Sequence, residues 1–348
     1  MTAPPEGKLA IHLATIQADF PSTPPPIKAI CTLARSQSWR SAFNSLRALA
    51  AETHPLSPLA RAPPRSRSEI SFSMKIDSHH HFWRYNTDDF GWISDAMARI
   101  RRDYLPVDLA PELVARAIDG CIAVQARMTT EETRWLLELA DKSPFIKGVV
   151  GWVPLSEKSV SAELDRFAAH PRLKGIRHVV QGQPAGFLDN PAFNAGIREV
   201  TARKLVYDIL IFANQLEEAT RFVDRHPNQV FVLDHIAKPV VQGSPDVIWM
   251  KQIRDLARRE NVACKFSGVV TEIPGFASWT PEQIHPYFDI VLKAFGPQRL
   301  MFGSDWPPCL VNSEYARWHQ TVEGFTTRLS DSDRARILGD TAAEWYRL

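Results

Sequence analysis

From Met74 onward the chain repeats one unit: a short apolar run rich in β-branched residues, then a longer amphipathic stretch. The runs fall at 75–77, 120–126, 146–152, 173–179, 205–211, 230–234, 262–267 and 300–303. Helix-like stretches lie between them at 131–141, 192–203, 216–225, 247–260 and 281–295. Asp246 supplies a cap before Val247, and Thr280-Pro281 puts proline in a first helical turn. Runs such as Val230-Phe231-Val232-Leu233 show no polar alternation, as a parallel strand buried on both faces requires. Eight such repeats over about 275 residues predict an α/β fold, a (β/α)₈ TIM-like barrel covering 74–348. A doubly wound open sheet is the second architecture that this pattern allows.

Residues 1–73 follow no such pattern. They hold 10 of the 26 prolines, and pairs such as Pro4-Pro5 and Pro63-Pro64 interrupt any regular element. Their charge is +4 against −2 for the remainder, with one helical patch at 27–51. A targeting peptide, a functional tail and an upstream translation without a role are the competing readings, the last favoured because Met74 directly precedes the first strand. A poorly ordered extension is expected in each case.

Apolar residues are 45% and charged residues 23% of the chain, which excludes a fibrous or wholly unfolded protein. A net charge of +2 gives nucleic acid or an anionic membrane nothing to hold, and no apolar stretch is long enough to span a bilayer. Cys31, Cys121, Cys264 and Cys309 are scattered, without CxxC spacing, so a reducing, cytoplasmic setting is expected. Homo-oligomerisation is left open by the sequence.

In a barrel, chemistry sits at the C-terminal ends of the strands. The first strand ends Asp77-Ser78-His79-His80-His81, where His79 and His81 share a face and His80 points away. His235 ends the sixth run and Asp305 the eighth. Singly, each has a plain alternative: a surface histidine cluster, a core histidine bonded to backbone, a turn aspartate. Jointly, two histidines, a third and a carboxylate at three separate strand ends point to one site.

The segments IDSHHHFW, YLPVDLAP, GVVGWVPL, KGIRHVVQ, VYDILI, FVLDHIAKP, KFSG and RLMFGSDWP resemble the amidohydrolase-related ("amidohydrolase 2") family of the metal-dependent hydrolase superfamily. Within it they are most similar to the branch of sugar lactonases and dicarboxylate lactonases. The resemblance covers Met74 to Leu348 and implies a distorted barrel that hydrolyses a lactone. It places the family's HxH on His79 and His81, its later-strand histidine on His235 and its last-strand aspartate on Asp305. Binuclear members bridge two metals with a lysine or glutamate on the fourth strand. Here that strand ends Gly175-Ile176-Arg177-His178, and the fifth reads Val206-Tyr207-Asp208-Ile209 without histidine. Pro154 stands where relatives often carry aspartate.

These departures imply a site with one divalent metal, zinc, on His79, His81, His235 and Asp305, or a metal-independent one. Asp305 is the expected general base, with the three histidines answering the oxyanion directly or through the metal. Arg177, His178, Gln125, Arg127 and Trp152 are the expected contacts to a small-molecule lactone. Trp83 and Trp306 are expected to pack the barrel mouth, and Lys265 and Ser267 to be pocket or interior polar groups. The alternatives are a metal-dependent nonoxidative decarboxylase, which chelation would silence, and a non-catalytic binding protein.

Overall fold

The computed structural model describes residues 73–348; the expected extension over 1–73 lies outside the described residues, apart from Ser73. Eight parallel strands follow each other in chain order around a barrel. They are β1 (Ile76–His80), β2 (Gly120–Val124), β3 (Ile146–Gly151), β4 (Leu173–Val179), β5 (Val206–Leu210), β6 (Phe231–Leu233), β7 (Val262–Phe266) and β8 (Leu300–Phe302). Each falls within or beside its apolar run, which settles the architecture as a barrel. Ladders join every consecutive pair, and the seam between β1 and β8 carries one bridge, His80 to Trp306 in the segment just after β8. The seam is completed by the His81 amide donating to Trp306 O at 2.7 Å and the Asp305 amide to His79 O at 2.8 Å. Closure is thus made where the site residues lie.

Helices α1 (Pro106–Ala115), α2 (Thr130–Lys142), α3 (Val160–Ala168), α4 (Pro191–Ala202), α5 (Leu216–Arg225), α6 (Val247–Leu256), α7 (Pro281–Phe295) and α8 (Tyr315–Thr326) surround the strands. Asp246 caps α6 by accepting from the Trp249 amide at 2.8 Å, and Thr280 with Gln283 forms a capping box on α7. α6 stops four residues short of the expected 260. Its last turn tightens into three-residue bonds, Arg258 N to Asp255 O and Arg259 N to Leu256 O, and Arg259 Nη1 also donates to the Asp255 carbonyl at 2.6 Å. Among the described residues no helix is long and apolar enough to cross a membrane.

The barrel interior is layered. Its floor is apolar, built from Ile76, Ile122, Val150, Val206, Val232 and Met301 and closed from below by Tyr346. Burying each of these aliphatic side chains contributes roughly 1.5–3 kcal/mol. One step up the strands, two residues on, the interior turns charged: Gly175 leads to Arg177, Val206 to Asp208, Val232 to Asp234 and Ala263 to Lys265, all buried. A bulge in β1 between Asp77 and His80 shifts the register by one residue. Ile76 can therefore face the floor while His79 faces the charged layer.

Candidate active site

Four side chains converge above the charged layer. His79 Nε2 and His81 Nε2 lie 3.2 Å apart. Asp305 Oδ1 is 3.5 Å from His81 Nε2, and 3.8 Å from the Nε2 atoms of both His79 and His235. Two of these residues reach the site through left-handed backbone. Asp305 has φ 55°, and His235 begins four consecutive positive-φ residues that end at Lys238. Left-handed geometry costs a non-glycine residue roughly 1–2 kcal/mol, so the neighbours must hold it. Ile236 and Ala237 are buried, Trp249 Nε1 donates to Ile236 O at 3.0 Å, and Lys238 N donates to His235 O at 2.8 Å. Gly268, at φ 65°, gives the room: a Cβ there would lie 2.5 Å from His235 Nδ1 and 3.0 Å from Asp305 Oδ2. Ser267 Oγ fixes the His235 ring through Nδ1 at 2.9 Å.

Burial keeps the imidazoles neutral. It holds His79 well below the usual histidine value, His81 at about 3 and His235 at about 4. His81 Nδ1 faces only a carbonyl, Val124 O at 2.8 Å, so that nitrogen carries the proton and Nε2 keeps its lone pair. His79 Nδ1 lies between Asp234 Oδ1 at 3.2 Å, an acceptor, and Lys265 Nζ at 3.3 Å, a donor. When His79 donates its Nδ1–H to Asp234, the Nε2 lone pairs of His79 and His81 face each other, with Arg177 Nη1 3.4 Å from His79 Nε2, and can take a cation.

The donor set fits a metal ion. Two or three imidazole nitrogens and one carboxylate oxygen suit zinc, whose bonds of about 2.0–2.1 Å place ligands roughly 3.4 Å apart in a tetrahedron, near the spacings seen. Charge agrees. Asp208, Asp234 and Asp305 are three carboxylates against the two cations Arg177 and Lys265, leaving the buried cluster one negative charge in excess. His79, His81 and Asp305 form one triad able to hold an ion; His79, Asp234 and His235 form a second. The first is favoured, because Lys265 Nζ stands 3.1 Å from Asp234 Oδ1 and would repel an ion at the second. Lys265 and Arg177 also crowd the ground that a second metal would need.

A family model described as amidohydrolase matches residues 76–348. The chain belongs to the amidohydrolase family. It is 39% identical over 287 residues to an L-fucono-1,5-lactonase of Burkholderia multivorans, covering 79% of this chain and 97% of that one. It is similar to a solved amidohydrolase from Burkholderia multivorans with bound zinc, at 39% identity and a TM-score of 0.77, over 79% of this chain and 99% of that chain. A solved dihydroxybenzoic acid decarboxylase from Polaromonas, with manganese and an inhibitor, aligns at 15% identity and a TM-score of 0.56 over 79% and 97% of the two chains, and shares the fold alone.

Several substrate contacts expected from the sequence sit elsewhere in this amidohydrolase. Arg177 is buried against the underside of the site: Nη1 pairs with Asp234 Oδ2 at 3.0 Å and lies 3.4 Å from His79 Nε2, and Nη2 donates to Gln125 O and to Gln125 Oε1. Gln125, also buried, returns a bond from Nε2 to Arg177 O at 3.3 Å. These two brace the charged layer. His178 packs away from the cluster. Neighbours on a strand face opposite sides, so with Arg177 inward His178 points to the helix layer, stacked on Phe187 and edge-on to Phe193. Trp152 is engaged there too, donating from Nε1 to His178 Nδ1 at 3.1 Å. Arg127 lines a rim cavity of about 270 Å³ with Trp83, Phe90 and Trp135, and pairs with Asp89 at 2.6 Å. Trp83 also stacks on His81, so its indole stands between that cavity and the site. Trp306 packs against Phe82 and Tyr104.

Asp77, Asp208, Asp234 and Glu132 were not singled out from the sequence. Asp77 accepts from the Ser304 amide at 2.8 Å and from Tyr315 Oη at 3.0 Å, fixing the strand end that carries Asp305. Glu132, inside the first turn of α2, accepts from the amides of Ala126 and Arg127 at 3.0 and 2.6 Å and pins the loop after β2. Burial outweighs those bonds and lifts its carboxyl from 4.5 to about 7. Protonation therefore favours the folded state: the gain is complete below pH 4.5 and is lost as pH rises through about 7. Glu132→Gln should erase this, so wild type loses about 3 kcal/mol relative to the variant between pH 4.5 and 8. Urea melts of both proteins across that range check it, and parallel curves would refute it.

Proposed function

We propose that this amidohydrolase opens a sugar-acid lactone by water attack, with Asp305 as the base. The observation that carries this is a buried carboxylate held against three neutral imidazoles at strand ends of the barrel. Burial raises the Asp305 carboxyl above its ordinary value, which makes it the stronger proton acceptor. Asp305 takes a proton from water as the oxygen attacks the lactone carbonyl carbon. The ring C–O bond then breaks, and Asp305 returns the proton to the leaving alkoxide. In between, the carbonyl oxygen becomes an oxyanion, which calls for positive charge or a donor beside it. When bound, a zinc ion on His79, His81, His235 and Asp305 would supply Lewis acidity at that oxygen.

Charge pairing favours a neutral sugar lactone over a dicarboxylate one. Arg177 is neutralised by Asp234, Lys265 by Asp208, Arg127 by Asp89 and Lys238 by Glu272. A substrate with two carboxylates would need cations left open to it. The 39% identical lactonase acts in the same sense.

The test is a pH-indicator screen of aldono-1,5-lactones, aldono-1,4-lactones and a dicarboxylate lactone. Hydrolysis of an aldonolactone well above the buffer rate is expected; none above it would overturn the reading. Elemental analysis of the purified protein should find about one divalent metal per chain, as a set of three or four ligands holds one ion. His81→Ala should lower that occupancy, whereas His178→Ala, outside the barrel interior, should not.

A further inference from the structure

We propose that Lys238, Glu272 and Phe212 form the subsite that grips the ring hydroxyls of the lactone and so decides which lactone is opened; this rests on the lactonase reading above. The three residues follow β6, β7 and β5, neighbouring strands whose C-terminal ends stand on the His235 side of the site. Lys238 lies one left-handed turn beyond His235, its amide bonded to the His235 carbonyl. Its Nζ is 3.3 Å from Glu272 Oε1 and 5.9 Å from the centre of the Phe212 ring. Val241 N donates to Glu272 O at 3.0 Å and ties the β6 and β7 loops together. Both charged side chains are largely buried, 18% and 17% exposed, while Phe212 is 39% exposed for so large an apolar group.

This combination suits a polyol ring. An ammonium and a carboxylate side by side offer donors and an acceptor that adjacent hydroxyls can bridge. An open aromatic face takes the C–H side of the same ring. The pair is neutral as a whole, so it has no pull on a second carboxylate. Binding a hydroxyl at a built polar site also rejects analogues that lack it, since the site's own groups are then left unpaired.

The experiment compares L-fucono-1,5-lactone with δ-valerolactone, the same ring without hydroxyls, in the full-length wild type, Lys238→Met, Glu272→Gln and Phe212→Leu. The ratio of kcat/KM for the two lactones should fall at least about tenfold in Lys238→Met and Glu272→Gln, mainly through KM, and less in Phe212→Leu. An unchanged ratio, with both lactones slowed alike, would show that the residues only support the His235 turn and would overturn the proposal. If wild type opens neither lactone, nor any other lactone of the screen above, the lactonase reading fails separately. The subsite is then judged by calorimetric titration with L-fuconate: binding that Lys238→Met and Glu272→Gln abolish sustains it, and binding absent from wild type or equal in all overturns it.

Discussion

Asp305→Asn should lower kcat/KM on the best lactone by at least about a thousandfold while leaving the protein as stable as before, or more so. Asparagine keeps the shape of the side chain and leaves untouched the backbone bond from residue 305 to His79 O. What it loses is a proton acceptor for water and an anionic partner for the three imidazoles. The stability argument runs opposite in sign to the activity argument. Burial raises the Asp305 carboxyl, so its charge is unfavourable in the fold, and protonation stabilises the native state at low pH. That stabilisation disappears as pH climbs through the folded-state value. The asparagine variant never meets this loss, so its advantage in melting temperature, read in chelated buffer, should grow toward alkaline pH. Turnover within about tenfold of wild type would remove Asp305 from the role of base.

The strands and the site were legible for different reasons. A parallel barrel strand is apolar on both faces, so each run stands out from the amphipathic helices around it. His79 and His81 were readable as a pair because a period of two puts them on one face, but the bulge that turns that face inward leaves no mark in the residues. The charged layer did leave one: Asp208, Asp234 and Lys265 interrupt strands that are otherwise apolar, each two residues beyond a floor residue. Arg177 and His178 show the limit of proximity in sequence. Alternation allows only one of two neighbours to face the interior, and which one is set by the register of β4 against β5, where Arg177 sits opposite Asp208. The left-handed turn from His235 to Lys238 contains no glycine, so nothing in local propensity announces it; packing from Trp249 and the buried Ile236 and Ala237 imposes it.

The largest loss of stability should come from Lys265→Met. Its ammonium is fully buried, 2.5 Å from Asp208 Oδ2, 3.1 Å from Asp234 Oδ1 and 3.3 Å from His79 Nδ1. Burial lifts the Asp208 carboxyl to about 6 even with Lys265 beside it. Burial pushes Asp234 the same way, but Lys265 and His79 outweigh it and hold that carboxyl well below the ordinary value. Without the ammonium, two carboxylates face each other in a dry interior, and breaking a buried pair in this way costs about 3–5 kcal/mol. Adding Asp208→Asn removes one of the stranded charges, while Tyr346 Oη, 2.7 Å from Asp208 Oδ1, can still donate to the amide oxygen. The double variant should therefore recover more than half of the loss, a coupling far outside the additivity of independent sites. Urea unfolding of the two single variants and the double variant reads this directly. If the two losses simply add, the buried charges are not balanced against each other, and the net negative charge inferred for the site has no basis. If recovery is seen, the layer beneath the histidines is one electrostatic unit, and the same excess charge that makes Lys265 indispensable is what draws a cation to His79, His81 and Asp305.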